Sequence, residues 1–320
     1  MKKIITTVVA LALASVLFAQ EANDAQAKKW GVVDFSANFM REKPGFDEEN
    51  GDQALMGTVV EILAEEDGWI KMRSPEPYVA WGVSRGVAKM TEAEKDAYIA
   101  APKFICVAEY THILTEPKAG SERVCDFVIG DLVRKTGVTK GKWVKVLLPS
   151  GREGWVLKNE VKDFAEWVAA SNPTREDILA TAKLFIGVPY MWGGTSIKNV
   201  DCSGFTRSVY FLNGILLPRN ASQQAKVGIE VPYEEAQPGD LIFFGRSATA
   251  DRPERVSHVT IYLGGDRIIH SASVVRMNSL RKGEPDYYGG NRLHVRRILG
   301  QADAGTGVVS IAKSPFYFKQ

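Results

Sequence analysis

From Pro189 to Phe205 the chain reads Pro-Tyr-Met-Trp-Gly-Gly-Thr-Ser-Ile-Lys-Asn-Val-Asp-Cys-Ser-Gly-Phe, a loop crowded with glycine and proline that runs into a helical pattern. Asp201 suits the N-cap, and Phe205, Val209 and Leu212 fall on one helical face. Cys202 therefore stands where a helix begins. Backbone N–H groups there are unpaired and carry partial positive charge, which favours a thiolate and can hold an oxyanion. A core cysteine would have apolar neighbours; this one lies between Asp201 and Ser203.

A thiol nucleophile needs a base. Val256 to Leu263 alternates and is rich in β-branched residues, so it predicts a strand carrying His258. After a Gly264-Gly265-Asp266 turn, Arg267 to Ser271 predicts a second strand carrying His270. Histidines on two paired strands can set one imidazole against the thiol and the other behind it, as the third member of a triad does. The spacing of Cys202, His258 and His270 is not that of a known zinc motif. The other histidines are His112, read as a surface or barrel residue, and His294, read as structural on a C-terminal strand.

The order cysteine on a helix, histidine on a strand, histidine on the next strand resembles the NlpC-type cell-wall peptidases, a papain-like cysteine peptidase family. Matching text is Pro189 to Gly194, Asp201 to Phe205, Leu217-Pro218-Arg219, Gln237 to Phe244, Ser257 to Tyr262 and Ile269 to Ala272, within Asn172 to Leu299. The order and spacing of these pieces carry the resemblance.

Upstream, two stretches read as a degenerate repeat of short alternating strands. The first holds Met56 to Leu63, Gly68 to Met72 and Ala80 to Val83; the second holds Ile129 to Val133, Lys142 to Val146 and Gly154 to Val156. Such a series closes naturally as a small barrel, and both stretches resemble bacterial SH3-like domains. Thr91 predicts the entry of a linker helix, and Thr174 the entry of a helix over Arg175 to Phe185. Lys2-Lys3 followed by the apolar run Ile4 to Phe18 reads as an export leader, with cleavage after Ala19 or Ala27. The expected fold is multidomain: a leader over 1–27, an SH3-like domain with linker over 28–100, a second over 101–168, and an α+β papain-like catalytic domain over 169–320. The expected location is the periplasm or the extracellular space, without membrane insertion after cleavage.

Cys106 and Cys125 fall in the second β-rich stretch. Export permits their pairing, which would leave Cys202 as the odd thiol; two reduced, buried cysteines fit equally. A formal net charge of +2 and the lack of a basic stripe argue against nucleic acid as a partner.

The resemblance implies a thiol peptidase without cofactor or metal, acting as a monomer on peptides derived from peptidoglycan. It assigns Cys202 as nucleophile, His258 as base and His270 as its orienting residue. The Tyr190 hydroxyl and the Cys202 N–H would hold the oxyanion, and Trp192 would wall the groove. A narrower resemblance is to γ-D-glutamyl-L-diamino acid endopeptidases that act on peptides with a free N-terminal L-alanine. There Asp201 and Ser203 bind the amine, and an acidic residue and a tyrosine of the first SH3-like domain close over it. The matching positions are Glu49, with Glu48 one residue away, and Tyr78. Arg219 joins the substrate-binding set, with Ala221 where the family often has a hydroxyl residue. The alternatives are the same chemistry on intact peptidoglycan, with the SH3-like domains as wall-binding modules, and a non-catalytic wall-binding protein.

Overall fold

The computed structural model describes residues 27–319. The leader expected over 1–27 lies outside the described residues except for Ala27.

The first β-rich stretch forms strands β1 (Trp30–Val33), β2 (Ala37–Arg41), β3 (Asn50–Leu55), β4 (Val59–Glu66), β5 (Trp69–Arg73), β6 (Val79–Val83) and β7 (Val87–Met90). They make an antiparallel sheet ordered β3-β2-β6-β5-β4-β1-β7. The second stretch forms β8 (Lys103–Cys106), β9 (Tyr110–Leu114), β10 (Arg123–Val128), β11 (Leu132–Lys140), β12 (Trp143–Leu147), β13 (Glu153–Leu157) and β14 (Val161–Asp163). Its order, β10-β9-β13-β12-β11-β8-β14, repeats the first strand for strand. Alternation does the work: β2 buries Asn38 and Met40, and β5 buries Ile70 and Met72, while the residues between them stay partly exposed. The outer strands of each sheet are not hydrogen-bonded to each other, so neither sheet closes through its ladder. In the first sheet the free edge, β3, is instead covered by the C-terminal region: Thr195 N–H donates to Gln53 Oε1 and Thr195 Oγ1 to the Gln53 carbonyl.

Between the sheets lies α1 (Glu92–Ala100), opened by the capping box of Thr91 and Glu94. Helix α2 (Phe164–Ala169) leaves the second sheet, and α3 (Arg175–Leu184) starts from a Thr174 capping box. Cys106 and Cys125 are both free thiols, with Cys106 buried. Burial and the carboxylate of Asp131 hold the Cys106 thiol well above its ordinary range.

The C-terminal region holds β15 (Thr195–Ser196), β16 (Asn199–Val200), α4 (Cys202–Phe211), β17 (Ile215–Leu216), α5 (Ala221–Gln224) and β18 (Ile229–Glu230). It continues with β19 (Leu241–Arg246), β20 (Arg255–Gly264), β21 (Arg267–Ala272), β22 (Val274–Ser279), β23 (Arg292–Arg297) and β24 (Val309–Ser310). Its main sheet is antiparallel, ordered β18-β23-β19-β20-β21-β22. Phe205 and Val209 of α4 and Ile178 and Ala182 of α3 pack on Phe243, Val259, Ile261 and Ile269 of the sheet. The tail after Gln301, which carries no clear sequence pattern, pins the regions together. Ile311 and Tyr317 are buried with Phe164, Val168, Phe211 and Leu216, and Phe318 stacks on Phe164 at 5.3 Å. Among the described residues no helix is long and apolar enough to cross a membrane.

Candidate active site

Cys202 is the first residue of α4, and Asp201 is its N-cap, accepting from the Gly204 N–H at 2.7 Å. The other Asp201 carboxylate oxygen accepts from the Gly193 N–H at 2.9 Å, which ties the loop to the helix start. Two glycines make that geometry possible. Gly193 has φ +79°, and a Cβ there would meet Asn50 of the first sheet at 2.2 Å. A Cβ on Gly204 would sit 1.9 Å from the Gly194 carbonyl oxygen.

Helix α4 rests on β20 and β21, which carry the histidines. The Val259 and Ser203 backbone N–H groups point at the Cys202 sulfur, so the strand position after His258 abuts the thiol. His258 Nε2 lies 2.7 Å from His270 Nδ1, and His270 Nε2 lies 3.0 Å from Asn278 Oδ1. The Asn278 Nδ2 donates to the Asp286 carbonyl at 2.6 Å, which orients the amide with its oxygen toward His270. The donor directions then follow in sequence. His270 carries its proton on Nε2 and accepts on Nδ1; His258 donates from Nε2 and keeps a lone pair on Nδ1. Tyr288 covers the pair, with ring centroids 5.5 Å from His258 and 4.9 Å from His270.

Burial governs the electrostatics here. It pushes the Cys202 thiol up to about 11, with Asp201 adding to the rise, and the two N–H groups only partly oppose it. Burial, then the adjacent His270, pulls His258 down to about 3. The helix N-terminus favours thiolate, but desolvation outweighs it, which favours a neutral thiol and a neutral imidazole in the empty site. His270, fully buried, is also held below the ordinary histidine range, by burial first.

A cleft of about 650 Å³ opens over the thiol, lined by Trp192, Asp201, Cys202, Ser203, Arg219, the segment Glu254 to Ser257 and, from the first sheet, Glu42, Glu49 and Tyr78. Trp192 stands at its rim, 59% exposed. Tyr78 donates its hydroxyl to Glu42 Oε1 at 2.7 Å. Glu42 was not singled out from the sequence; it and Glu49 face each other across the β2–β3 connection, where the Glu42 N–H donates to the Glu49 carbonyl at 2.9 Å. Tyr190 is held by its backbone N–H to the Ser273 carbonyl. Burial, with the nearby Cys202 and Asp201, raises its phenol to about 12, so it stays a donor.

Arg219 is 2% exposed and committed. Its Nη2 pairs with Asp201 Oδ2 at 2.5 Å, its Nη1 donates to Ser203 Oγ at 3.0 Å, and its Nε lies 2.9 Å from Asp52 Oδ1. Asp52 also pairs with Arg207 at 2.7 Å, and Arg207 with Glu76 at 2.8 Å. Arg219 thus braces Asp201 and links the nucleophile's helix to β3. Of the residues singled out from the sequence, His258, His270 and Tyr190 are not cleft-lining, whereas Cys202, Asp201, Ser203, Trp192, Arg219, Glu49 and Tyr78 are. His112 and His294 lie elsewhere, on β9 and β23. Asn278, Asp286 and Tyr288 carry no local sequence signal that marks them as site residues. Among the described residues no group of three or more His, Cys, Asp or Glu side chains could hold a metal ion.

Residues 187–296 match the family described as the NlpC/P60 family. A γ-D-glutamyl-L-lysine dipeptidyl-peptidase of Bacillus cereus is 31% identical over 235 residues, covering 70% of this chain and 68% of the relative. Dipeptidyl-peptidase 6 of Lysinibacillus sphaericus is 28% identical over 265 residues, covering 80% of this chain and 93% of the relative. The crystal structure of an NlpC/P60 family protein from Bacillus cereus superposes with a TM-score of 0.71 at 24% identity, covering 84% of this chain and 99% of that one.

Proposed function

The chain belongs to the NlpC/P60 family of cysteine peptidases, and we propose that it hydrolyses the γ-D-glutamyl–L-diamino acid bond of murein peptides that bear a free N-terminal L-alanine. The observation that carries this reading is that the first sheet supplies Glu42, Glu49 and Tyr78 to the cleft that holds Cys202. An ammonium group suits carboxylates beside an aromatic rim. A polymer would need that end of the groove open.

In this reading Cys202 is the nucleophile. Its proton passes to His258 Nδ1 as sulfur attacks the γ-carbonyl carbon, so charge need not separate before attack. The Cys202 N–H and the Tyr190 hydroxyl take the oxyanion. The imidazolium returns its proton to the leaving amine, the C–N bond breaks, and a thioester remains. Water, deprotonated by His258, attacks the thioester and releases L-Ala-D-Glu and the thiol. His270, oriented by Asn278, holds the His258 tautomer and steadies its charge. Asp201 and Ser203 meet the substrate amine with Glu42, Glu49 and Tyr78, Trp192 walls the groove, and Arg219 acts on substrate through Asp201.

We assign the two β sheets as SH3-like domains over 28–100 and 101–168, and 169–320 as a papain-like domain. The two matching strand orders and the α4-on-sheet packing support this. The protein acts as an exported monomer without cofactor. Mass spectrometry of products from L-Ala-γ-D-Glu-diaminopimelate, its N-acetylated form and intact murein tests the reading. The expected result is release of L-Ala-D-Glu from the free-amine peptide alone, abolished by Cys202→Ala. Equal cleavage of acetylated peptide or murein would remove the amine pocket from the site.

A further inference from the structure

Between the two N-terminal sheets lies a second cleft, of about 540 Å³, which shares no lining residue with the one over Cys202. Arg85 and β7 line it from the first sheet, Tyr98 from α1, and Arg134 of β11 and Ser150 of the β12–β13 turn from the second sheet. Its carboxylates are taken. Asp34 accepts from the Ser150 N–H and from Arg152 Nη2, each at 2.8 Å, and Glu94 is held in the capping box with Thr91. Of its cations, Lys89 pairs with Glu65. Arg85 and Arg134 form no ion pair and no side-chain hydrogen bond among the described residues. Arg134 Nε is in addition buried without an acceptor. The direct strand partner of Arg134 is Lys103, whose buried ammonium donates to the Ile99 and Ala101 carbonyls at 2.9 Å. Both cations lie over the Tyr98 ring, Arg134 at 5.8 Å and Lys103 at 4.8 Å. Burial, then Arg134, pulls the Lys103 ammonium down to about 8, so the two charges feel each other. Like charges directly opposite each other destabilise a sheet, and a buried donor without an acceptor costs free energy. An anion beside Arg134 would relieve both.

We propose that this cleft binds a phosphate group, gripped by Arg134 from the second sheet and Arg85 from the first, with the Ser150 hydroxyl as a third donor. Ser150 Oγ accepts from Arg152 Nε at 3.2 Å, which leaves its own proton free to donate. Guanidinium forks suit phosphate oxygens. A carboxylate offers its acceptors in one plane and is filled by one fork. The tetrahedral oxygens of a phosphate can meet donors that converge from two sheets. The bound group would then tie the sheets together beside the contact that Asp34 already makes with Ser150 and Arg152. The same chemistry has two sources, free phosphate and the phosphodiester of a polymer chain. Either one binds apart from the thiol, so the inference does not rest on the γ-glutamyl reading.

The test titrates the full-length protein by calorimetry with inorganic phosphate, with poly(glycerol phosphate) and, as a carboxylate control at equal ionic strength, with poly-L-glutamate. Wild type runs beside Arg134→Met, Arg85→Met and Lys142→Met. Lys142 is exposed, forms no ion pair among the described residues and lies outside the cleft, so its variant reproduces the change in net charge alone. Wild type is expected to bind phosphate. Arg134→Met should weaken binding roughly tenfold, the scale of one charge-assisted hydrogen bond, Arg85→Met should weaken it less, and Lys142→Met should leave it unchanged. Arg85 is exposed, so its variant keeps the test open should Arg134→Met fail to fold. Binding of inorganic phosphate with no gain from the polymer supports the site and assigns free phosphate to it. Tighter binding of poly(glycerol phosphate) supports it and assigns a phosphodiester chain. Three results overturn the inference: no binding of either phosphate ligand, poly-L-glutamate binding as tightly as poly(glycerol phosphate), or a loss in Lys142→Met equal to that in the arginine variants. Hydrolysis of L-Ala-γ-D-Glu-L-Lys by Arg85→Met should match wild type in kcat/KM whichever way binding falls, so failure of this site and failure of the γ-glutamyl reading are told apart.

Discussion

Asn278 Oδ1 stands 3.0 Å from His270 Nε2, and this amide decides which nitrogen of each histidine carries a proton. The polarity starts at the Asp286 carbonyl, passes through the Asn278 amide and both imidazoles, and ends as a lone pair on His258 Nδ1. Asn278→Leu removes the acceptor and strands a buried His270 N–H, which costs roughly 1–3 kcal/mol, or about tenfold to a hundredfold in kcat. KM should change little, because Asn278 does not line the cleft. Asn278→Asp keeps an acceptor and should retain far more activity than the leucine variant. Equal kcat values for the two variants would show that the amide does not position the pair.

The neutral state of the nucleophile and base has a consequence in pH. Thiolate is the alkylating species, and Cys202 is raised to about 11 while His258 is lowered to about 3. The rate of Cys202 alkylation by iodoacetamide should therefore climb steadily from pH 6 through pH 9 without levelling. A preformed thiolate–imidazolium pair would instead give a plateau between the two titrations, across the acid and neutral range. Such a plateau in the empty enzyme would refute the neutral pair. Cys202→Ala supplies the background, since Cys106 and Cys125 are also free and also raised, by burial first.

Cys202, His258 and His270 were legible because each stands at a place that local pattern identifies: a capped helix start and two alternating strands. Strand β22 was not, and Asn278 with it. The turn into β22 is made by Ser273 at φ +65°, where glycine or asparagine would have announced it. Once Ala272 pairs with Val274, His270 faces Arg276, and Asn278 falls diagonally within reach. The acidic partner of Tyr78 was ambiguous for a different reason. The β2–β3 hairpin returns Glu49 to Glu42, so residues distant in sequence share one end of the cleft, and spacing cannot rank them. The repeat was legible in its alternation, whereas ladder closure was not, since that depends on how the edge strand β3 meets Thr195.

Arg219 is a stability residue as much as a site residue. It is buried between Asp201 and Asp52, which come from the catalytic region and the first sheet. Arg219→Met leaves two buried carboxylates short of their partner, and breaking such a pair costs about 3–5 kcal/mol. The urea midpoint, followed by tryptophan fluorescence, should fall accordingly, and trypsin should cut between the first sheet and the catalytic region sooner. A midpoint equal to that of wild type would mean the network contributes nothing net.

Glu42 and Tyr78 set the last expectation, which concerns the amine. Burial and the Glu42 carboxylate both raise the Tyr78 phenol, so at neutral pH it remains a donor and keeps Glu42 Oε1 in place. Glu42 thus offers a second, fixed carboxylate beside Asp201 at the first-sheet end of the cleft. Glu42→Gln keeps the shape and the acceptor but removes the charge. KM for a free-amine peptide should rise about tenfold, the scale of one charge-assisted hydrogen bond, with kcat nearly unchanged. Cleavage of the N-acetylated peptide should not suffer, because its amide offers no charge, and the ratio between the two substrates should narrow. Tyr78→Phe should act in the same direction more weakly, by freeing the Glu42 carboxylate to rotate. If Glu42→Gln leaves the ratio unchanged while Glu49→Gln narrows it, the amine contact belongs to Glu49 and the Tyr78 hydroxyl merely braces the rim.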